Sequence, residues 1–160
     1  MYYLIMILGI AIDRVTKLIV RAEIPYGENI QVIKNFFYIT YHENKGAAWG
    51  LLQNQRIFFI VITSLMIILL FYIIARSYNK LLKLAISLII SGAIGNLIDR
   101  CLKDGGVPDF LNFYFGNYNF PTFNVADMFV TCGAILLGIY MIFLYKDGDV
   151  NIRILRKKSK

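Results

Sequence analysis

The stretch Ile57–Ala75, with the sequence IFFIVITSLMIILLFYIIA, decides the fold class of this chain because it contains no charged side chain. Its length is close to the roughly 20 apolar residues that a helix needs to cross the hydrocarbon of a bilayer. Across the 160 residues, 58% are hydrophobic and 17% are charged. A typical soluble domain has roughly 45–50% and about 25%. The composition therefore excludes a soluble domain and, still more strongly, a disordered chain.

Three further apolar stretches have a similar length, at residues 2–20, 81–98 and 126–145. Backbone amides in lipid must be paired within their own segment, so each stretch is predicted to be helical. We expect the first stretch to be retained and not cleaved as a signal peptide, because no basic residue precedes its apolar run. The pattern predicts an all-α integral membrane protein that forms a single domain over residues 1–160, with four transmembrane helices.

The distribution of basic residues predicts the orientation of these helices. Nine of the 17 lysine and arginine residues fall in the 76–83 connection and the 146–160 tail, whereas the longer connections 21–56 and 101–125 hold five. Short cytoplasmic segments carry the excess of basic residues in membrane proteins. We therefore expect both termini in the cytoplasm and both long connections outside. The net charge of +7 then marks the cytoplasmic side and anionic lipid, and no nucleic-acid partner is expected.

The two long connections contain their own structural signals. Residues 30–41 (IQVIKNFFYITY) are rich in β-branched and aromatic side chains, which predicts one or two short strands with a turn near Asn35. Residues 110–123 (FLNFYFGNYNFPTF) contain seven aromatic residues in 14. This density is typical of a membrane interface, and we interpret the segment as an outer aromatic loop. The prediction is a small extracytoplasmic β element beside that loop.

Polar residues interrupt three of the four apolar stretches, although such residues are costly in a membrane and usually face a protein interior. Asp13 and Lys17 are four residues apart and can pair on one helix face. With the orientation above, the whole set lies near the outer ends of the helices. Small residues at Gly92 and Gly95 are expected to let neighbouring helices pack closely. The polar residues of this set are Asp13, Lys17, Asn96, Asp99, Arg100 and Asp127.

The residue types restrict the chemistry that these groups can perform. His42 is the only histidine and no Gly-x-Ser-x-Gly motif is present, so serine catalysis has little support. One histidine and two distant cysteines do not form a metal site. Three carboxylates remain near the outer face, and two of them could share one proton, as in an aspartic peptidase. The residues alone leave three candidates open, Asp99, Asp109 and Asp127, and two other classes of protein, a small proton-coupled transporter and a packing subunit.

Five motifs that occur in order together resemble the bacterial lipoprotein signal peptidase family, also called signal peptidase II. The likeness covers about residues 10–145. It implies a membrane-bound aspartyl endopeptidase that needs no cofactor or metal. Such an enzyme cleaves prolipoproteins just before a diacylglyceryl-modified cysteine. The motifs are Asp13-Arg14-Val15-Thr16-Lys17, Asn44-Lys45-Gly46-Ala47-Ala48-Trp49, Gly92-Ala93-Ile94-Gly95-Asn96-Leu97-Ile98-Asp99-Arg100, Val107-Pro108-Asp109-Phe110 and Phe123-Asn124-Val125-Ala126-Asp127.

The resemblance also implies roles for individual residues. Asp109 and Asp127 match the catalytic aspartates, and the family location is the bacterial cytoplasmic membrane. The chain departs from the family pattern at Pro108, which precedes Asp109 and fixes φ near −65°, and at Ser91, which replaces a glycine. A monomer is expected, because both aspartates lie in one chain. Site-supporting positions are Asn44, Gly46, Ala48, Asn96, Arg100 and Asn124, and positions that match structural residues are Asp13, Lys17 and Asp99.

Overall fold

The computed structural model describes residues 1–46, 51–102 and 105–150. These residues form four α-helices and a four-stranded antiparallel sheet. In chain order the elements are α1 (Tyr2–Glu23), β1 (Asn29–Ile33), β2 (Phe37–Asn44), α2 (Arg56–Arg76), α3 (Lys80–Cys101), β3 (Val107–Phe115), β4 (Tyr118–Asn119) and α4 (Val125–Ile139), which continues as a π-helical turn (Tyr140–Leu144).

Three of these helices are long and apolar enough to cross a membrane: α2, α3, and α4 together with its π-helical turn. Each begins and ends within a few residues of the predicted bounds. Helix α1 is equally long, with 22 residues. It is not among these three, since its second half contains several charged side chains.

The strands predicted within residues 30–41 are confirmed as β1 and β2. The all-α class is wrong, because the two long connections form a four-stranded sheet of order β1-β2-β3-β4 and the protein is mixed α and β. The turn predicted near Asn35 separates β1 from β2, and Asn35 has a φ of 56°. The prediction of an outer aromatic loop is also wrong for most of residues 110–123. Strand β3 takes up Val107–Phe115 and pairs with β2, with Phe37 stacked on Phe113.

The pairing of β2 with β3 contains an irregularity that positions the end of β2. Ile39 lies opposite Leu111, whereas His42 lies opposite Asp109, so that β2 has one extra residue in this interval. Such bulges bend a strand and are common beside functional sites. Beyond the bulge, Asn44 lies opposite Val107, and the side chains of Asn44 and Asp109 meet. Pro108 is the second residue of β3, opposite Glu43.

Helix α3 is the central helix and contacts α1, α2 and α4. Away from the sheet, all four helices contribute apolar side chains to one core. Near the sheet, α1 and α3 bury charged and polar groups, and a second apolar cluster (Val20, Ile24 and Phe110) joins the end of α1 to β3. The bundle therefore has an apolar end and a polar end. The members of the larger core are Met6, Leu70, Ile74, Leu82, Ile86, Ile90 and Tyr140.

Candidate active site

A cavity of about 270 Å³ lies at the polar end of the bundle, where α3, the N-terminus of α4 and the sheet meet. Polar side chains from α3, β2, β3 and α4 face the cavity, and the chain between β4 and α4 adds an aromatic wall. The lining residues are Asn44, Gly46, Asn96, Arg100, Val107, Asp109, Phe120, Pro121, Thr122, Phe123 and Asp127.

Asp109 enters this cavity from β3 and is 5% exposed. Asn44 Nδ2 donates to its Oδ2 over 3.0 Å, and Asn124 Nδ2 donates to its Oδ1 over 2.6 Å. Burial, followed by the charge of Asp127, raises the pKa of Asp109 from 3.8 to about 7, although both amide donors and Lys17 oppose this rise. Asp109 can therefore hold a proton near neutral pH.

Asp127 reaches the same cavity from the first turn of α4. Asn124 is the N-cap residue of α4 and accepts the backbone N–H of Asp127 over 3.1 Å, while Asp127 Oδ2 accepts the backbone N–H of Asn124 over 3.1 Å. This reciprocal capping box fixes the Asp127 side chain at the helix terminus. Asn96 Nδ2 donates to the other oxygen, Oδ1, over 2.8 Å.

Asn124 joins the two carboxylates. Its Oδ1 belongs to the capping box with Asp127, whereas its Nδ2 donates to Asp109 Oδ1 and, over 3.3 Å, to Asn96 Oδ1. The side chain is fully buried, so that these contacts are protected from solvent. One asparagine thus contacts both aspartates, although Asp109 lies on β3 and Asp127 on α4.

Arg100 forms the side of the cavity that faces α2. Its Nη1 donates to Asn96 O over 3.4 Å and its Nη2 donates to Gly46 O over 3.2 Å. The guanidinium lies 4.9 Å from the ring centroid of Phe59, a cation–π contact. Phe59 was not predicted from the sequence, because one aromatic residue within an apolar stretch gives no signal of a polar contact.

A buried ion cluster lies directly behind Asn96. Lys17 Nζ is 2.9 Å from Asp13 Oδ2, 2.7 Å from Asp99 Oδ2 and 2.9 Å from Asn96 Oδ1. Arg14 Nη1 donates to Asp99 Oδ1, and the backbone N–H of Ala126 donates to Asp13 Oδ1 over 2.9 Å. The predicted pairing of Asp13 with Lys17 is confirmed, whereas the contribution of Arg14 was missed. Two acids and two bases leave this cluster without net charge.

The structure brings together most of the residues singled out from the sequence. Six of them line the cavity: Asn44, Gly46, Asn96, Arg100, Asp109 and Asp127. Asn124 bridges the two aspartates, and Asp13, Lys17 and Asp99 form the ion cluster. Ala48 lies outside the described residues, as do residues 151–160 of the predicted basic tail. In residues 1–46, 51–102 and 105–150, no group of three or more His, Cys, Asp or Glu side chains is placed to hold a metal ion.

A bundle of apolar helices whose polar end holds a cavity lined by two carboxylates, one on a strand and one on a helix, has the architecture of a membrane-embedded aspartic peptidase. The family model described as Signal peptidase (SPase) II matches residues 5–143. The chain belongs to this family, and it is an aspartyl peptidase that removes the signal peptides of prolipoproteins. This assignment decides against the proton-coupled transporter and the packing subunit.

Individual relatives and solved structures agree with the family model. The lipoprotein signal peptidase of Clostridium tetani is 49% identical over 145 residues, covering 89% of this chain and 92% of the relative. That of Bacillus subtilis is 45% identical over 145 residues, covering 89% and 93%. A bacterial membrane enzyme solved by the in meso method at 2.3 Å resolution is 42% identical, with a TM-score of 0.81 over 88% of this chain and 86% of that one. A second, solved at 1.9 Å, is 40% identical, with a TM-score of 0.80 over 90% and 94%.

Proposed function

We propose that Asp109 and Asp127 are the catalytic aspartates of this peptidase. The observation that carries the proposal is that both carboxylates face one cavity and that both accept hydrogen bonds from Asn124, Asp109 from its side-chain amide and Asp127 from its backbone N–H. Asp99, the third candidate left open by the sequence, has both oxygens engaged by Arg14 and Lys17 and does not line the cavity. It therefore belongs to the ion cluster and not to the pair.

The two aspartates take different parts in the reaction. Asp109, whose pKa is raised to about 7, donates a proton to the oxygen of the scissile carbonyl. Asp127 accepts a proton from the attacking water as the water oxygen bonds to the carbonyl carbon. Collapse of the tetrahedral intermediate then breaks the C–N bond, and the leaving amine takes up a proton from the pair. None of these steps requires a cofactor or a metal.

The remaining polar residues of the cavity hold the substrate or orient the pair. Asn44 and Asn96 donate to Asp109 and Asp127, respectively. Two nitrogens of Arg100 donate to the backbone carbonyls of Asn96 and Gly46. The same guanidinium suits the backbone carbonyls of a substrate that lies extended in the cavity. The proposed supporting set is Asn44, Gly46, Asn96, Arg100 and Asn124, and the family resemblance adds Ala48.

The substrate is a prolipoprotein whose cysteine already carries diacylglycerol, and the bond broken precedes that cysteine. This substrate class follows from the family resemblance, and the shape of the site supports it. The cavity lies at one end of an apolar bundle, so that a lipid-anchored segment can enter it without leaving the membrane. The aromatic wall at Phe120 and Phe123 provides an apolar surface beside the two carboxylates.

Helix α1 is the fourth membrane span of the proposed topology. Its charged residues Asp13 and Lys17 are fully buried against α3. The opposite face is apolar and exposed, as a lipid-facing helix requires. The exposed side chains of this face are Tyr3, Leu4, Ile7, Leu8, Ile12, Val15, Leu18 and Ile19. With four spans, both termini are cytoplasmic, and the sheet lies on the outer side of the membrane near the outer leaflet. One chain contains both aspartates, so a monomer is sufficient for activity.

The assignment is tested with purified full-length protein and a diacylated prolipoprotein. Asp109→Asn and Asp127→Asn should each reduce turnover by at least about a thousandfold while the protein remains folded, because each removes a proton-transfer step. Cleavage is followed by the mobility shift of the product, and folding by the thermal unfolding midpoint. Asp147→Asn, an exposed carboxyl outside the cavity, is the matched control. Turnover by either cavity variant at the wild-type rate would exclude the pair.

A further inference from the structure

The Asn96 side chain can serve the reaction in only one of its two amide orientations. Its Nδ2 must face Asp127 to donate to Oδ1, as it does over 2.8 Å. A rotation by 180° about the last side-chain bond would place Oδ1 against the carboxylate, where two acceptors repel each other. Some neighbour must therefore hold the amide in the productive orientation.

Lys17 is that neighbour. Its ammonium group has N–H donors and no acceptor. It donates to Asn96 Oδ1 over 2.9 Å and forms ion pairs with Asp13 and Asp99. Of the two ends of the Asn96 amide, only the carbonyl oxygen can face an ammonium group favourably. The Lys17 cation therefore determines that the Nδ2 end faces Asp127. Asn124 Nδ2, which also donates to Asn96 Oδ1, reinforces the same orientation.

The position of Lys17 separates this effect from substrate binding. The side chain is fully buried and does not line the cavity. Asp13 and Asp99 form ion pairs with the ammonium, and Arg14 pairs with the second acid. We propose that Lys17 is a positioning residue of the peptidase reaction, acting through the Asn96 amide to orient Asp127. This inference rests on the proposed role of Asp127.

The test compares two charge-balanced double variants of the full-length protein. Asp13→Asn with Lys17→Met removes one buried ion pair together with the ammonium that faces Asn96. Arg14→Met with Asp99→Asn also removes one acid and one base of the cluster. It keeps Lys17, its ion pair with Asp13 and its hydrogen bond to Asn96, and the amide oxygen introduced at position 99 can still accept from the ammonium. Because each variant deletes one acid and one base, neither leaves an uncompensated charge in the bundle.

Turnover of a diacylated prolipoprotein is measured per folded molecule, with kcat and KM determined separately. Loss of a hydrogen bond oriented by a charged group should lower kcat of the Asp13→Asn, Lys17→Met variant by about tenfold to hundredfold. KM should stay within about twofold, because the substrate does not touch Lys17. The Arg14→Met, Asp99→Asn variant should retain kcat within about threefold, even where its unfolding midpoint falls.

Each other result overturns the inference. Equal losses of kcat in both double variants would show that Lys17 acts only as one member of a structural cluster. An unchanged kcat after loss of Lys17 would show that Lys17 does not orient the site. A rise of KM that matches the fall of kcat would indicate a distorted cavity. Failure of the proposed role of Asp127 is distinguishable, because Asp127→Asn itself would then turn over the prolipoprotein at the wild-type rate.

Discussion

The protonation of Asp109 is the central feature of the molecule at the scale of single residues. Three neighbours that donate hydrogen bonds or carry positive charge, Asn44, Asn124 and Lys17, would keep an exposed carboxylate ionised. Here burial has the larger effect, and with the nearby charge of Asp127 it raises the pKa to about 7. The folded protein therefore binds a proton at Asp109 that the unfolded chain releases near its ordinary pKa of 3.8. Folding and acidity are consequently linked.

The sign of this linkage gives a prediction for Asp109→Asn. A carboxyl whose pKa is raised on folding favours the native state at low pH, and this contribution is lost as pH rises from about 4 to about 7. At pH 8 the wild-type protein therefore carries a penalty that the uncharged asparagine avoids. We expect the variant to be more stable at pH 8 by at most about 4 kcal/mol, since a pKa difference of one contributes about 1.4 kcal/mol.

The measurement is thermal unfolding in detergent between pH 5 and pH 8. The advantage of Asp109→Asn should shrink as the pH is lowered. Asp147→Asn, which alters an exposed carboxyl, should show no comparable dependence. A stability difference between wild type and Asp109→Asn that stays constant over this range would contradict the raised pKa.

The residue types predicted the chemistry of the site, but they did not distinguish the two aspartates that we propose as the catalytic pair. Polar residues in apolar stretches indicated a buried site, because the cost of such residues in a membrane is high. Physical reasoning alone could not choose between Asp99 and Asp109. The choice depends on Arg14 and Lys17, which lie far from Asp99 in the chain, and on the pairing of β3 with β2. Such long-range contacts leave no local pattern, and here the family motifs supplied the distinction.

At the scale of elements, the packing of α3 against α4 places Asp127. The backbone of Gly92 approaches α4 so closely that an added Cβ would lie 2.1 Å from Ala126 O. At Gly95 an added Cβ would lie 2.5 Å from Asp13 Oδ2 on α1. The predicted small-residue faces of α3 therefore serve two different neighbours. Both approaches bring polar groups of separate helices within hydrogen-bond distance of one another.

Gly92→Ala should consequently damage both stability and turnover. The oxygen it meets belongs to the backbone of the residue before Asp127, so that α4 must move. Overpacking of this kind costs about 1–3 kcal/mol, and displacement of a catalytic group by about 1 Å can cost about a hundredfold in rate. Thermal unfolding and prolipoprotein turnover measure the two effects.

The matched control for this prediction is Gly138→Ala in α4. An added Cβ there meets no atom within 4 Å. Alanine is favoured over glycine within a helix by about 0.5–1 kcal/mol, so this variant should be slightly more stable with unchanged turnover. If Gly92→Ala behaved like Gly138→Ala, the close contact between α3 and α4 would not be what places Asp127.

The elements themselves were predictable to different degrees. The apolar helices follow directly from the length and composition of their sequences, and their bounds match. Strand β3 was misread because its aromatic residues resemble an interfacial belt when taken alone. The side chains Phe113 and Phe123 instead stack within the sheet region, and β3 pairs with a strand some 65 positions earlier, a partner that only the fold reveals.

At the scale of the whole molecule, the two ends of the bundle differ in chemistry. One end has the apolar core, and basic residues surround it. There Lys83 Nζ lies 5.8 Å from the ring centroid of Tyr2, and Asn79 Nδ2 donates to Asp149 Oδ2 over 3.3 Å, so that the start of α1, the start of α3 and the chain after α4 meet. The other end carries the ion cluster, the cavity and the sheet. Basic residues at the first end identify it as the cytoplasmic side of the proposed topology.

This topology makes a prediction that labelling of single cysteines can test. In a background with Cys101→Ala and Cys132→Ala, we expect Glu28→Cys, between α1 and β1, to react with a membrane-impermeant maleimide in intact cells. Asp147→Cys and a cysteine inserted after Met1 should react only after the membrane is permeabilised, because an even number of spans returns the chain to the cytoplasm. Glu28 and Asp147 are both exposed, so accessibility within the protein does not bias the comparison. Labelling of the inserted cysteine and Glu28→Cys from the same side would show that α1, despite its exposed apolar face, does not cross the membrane.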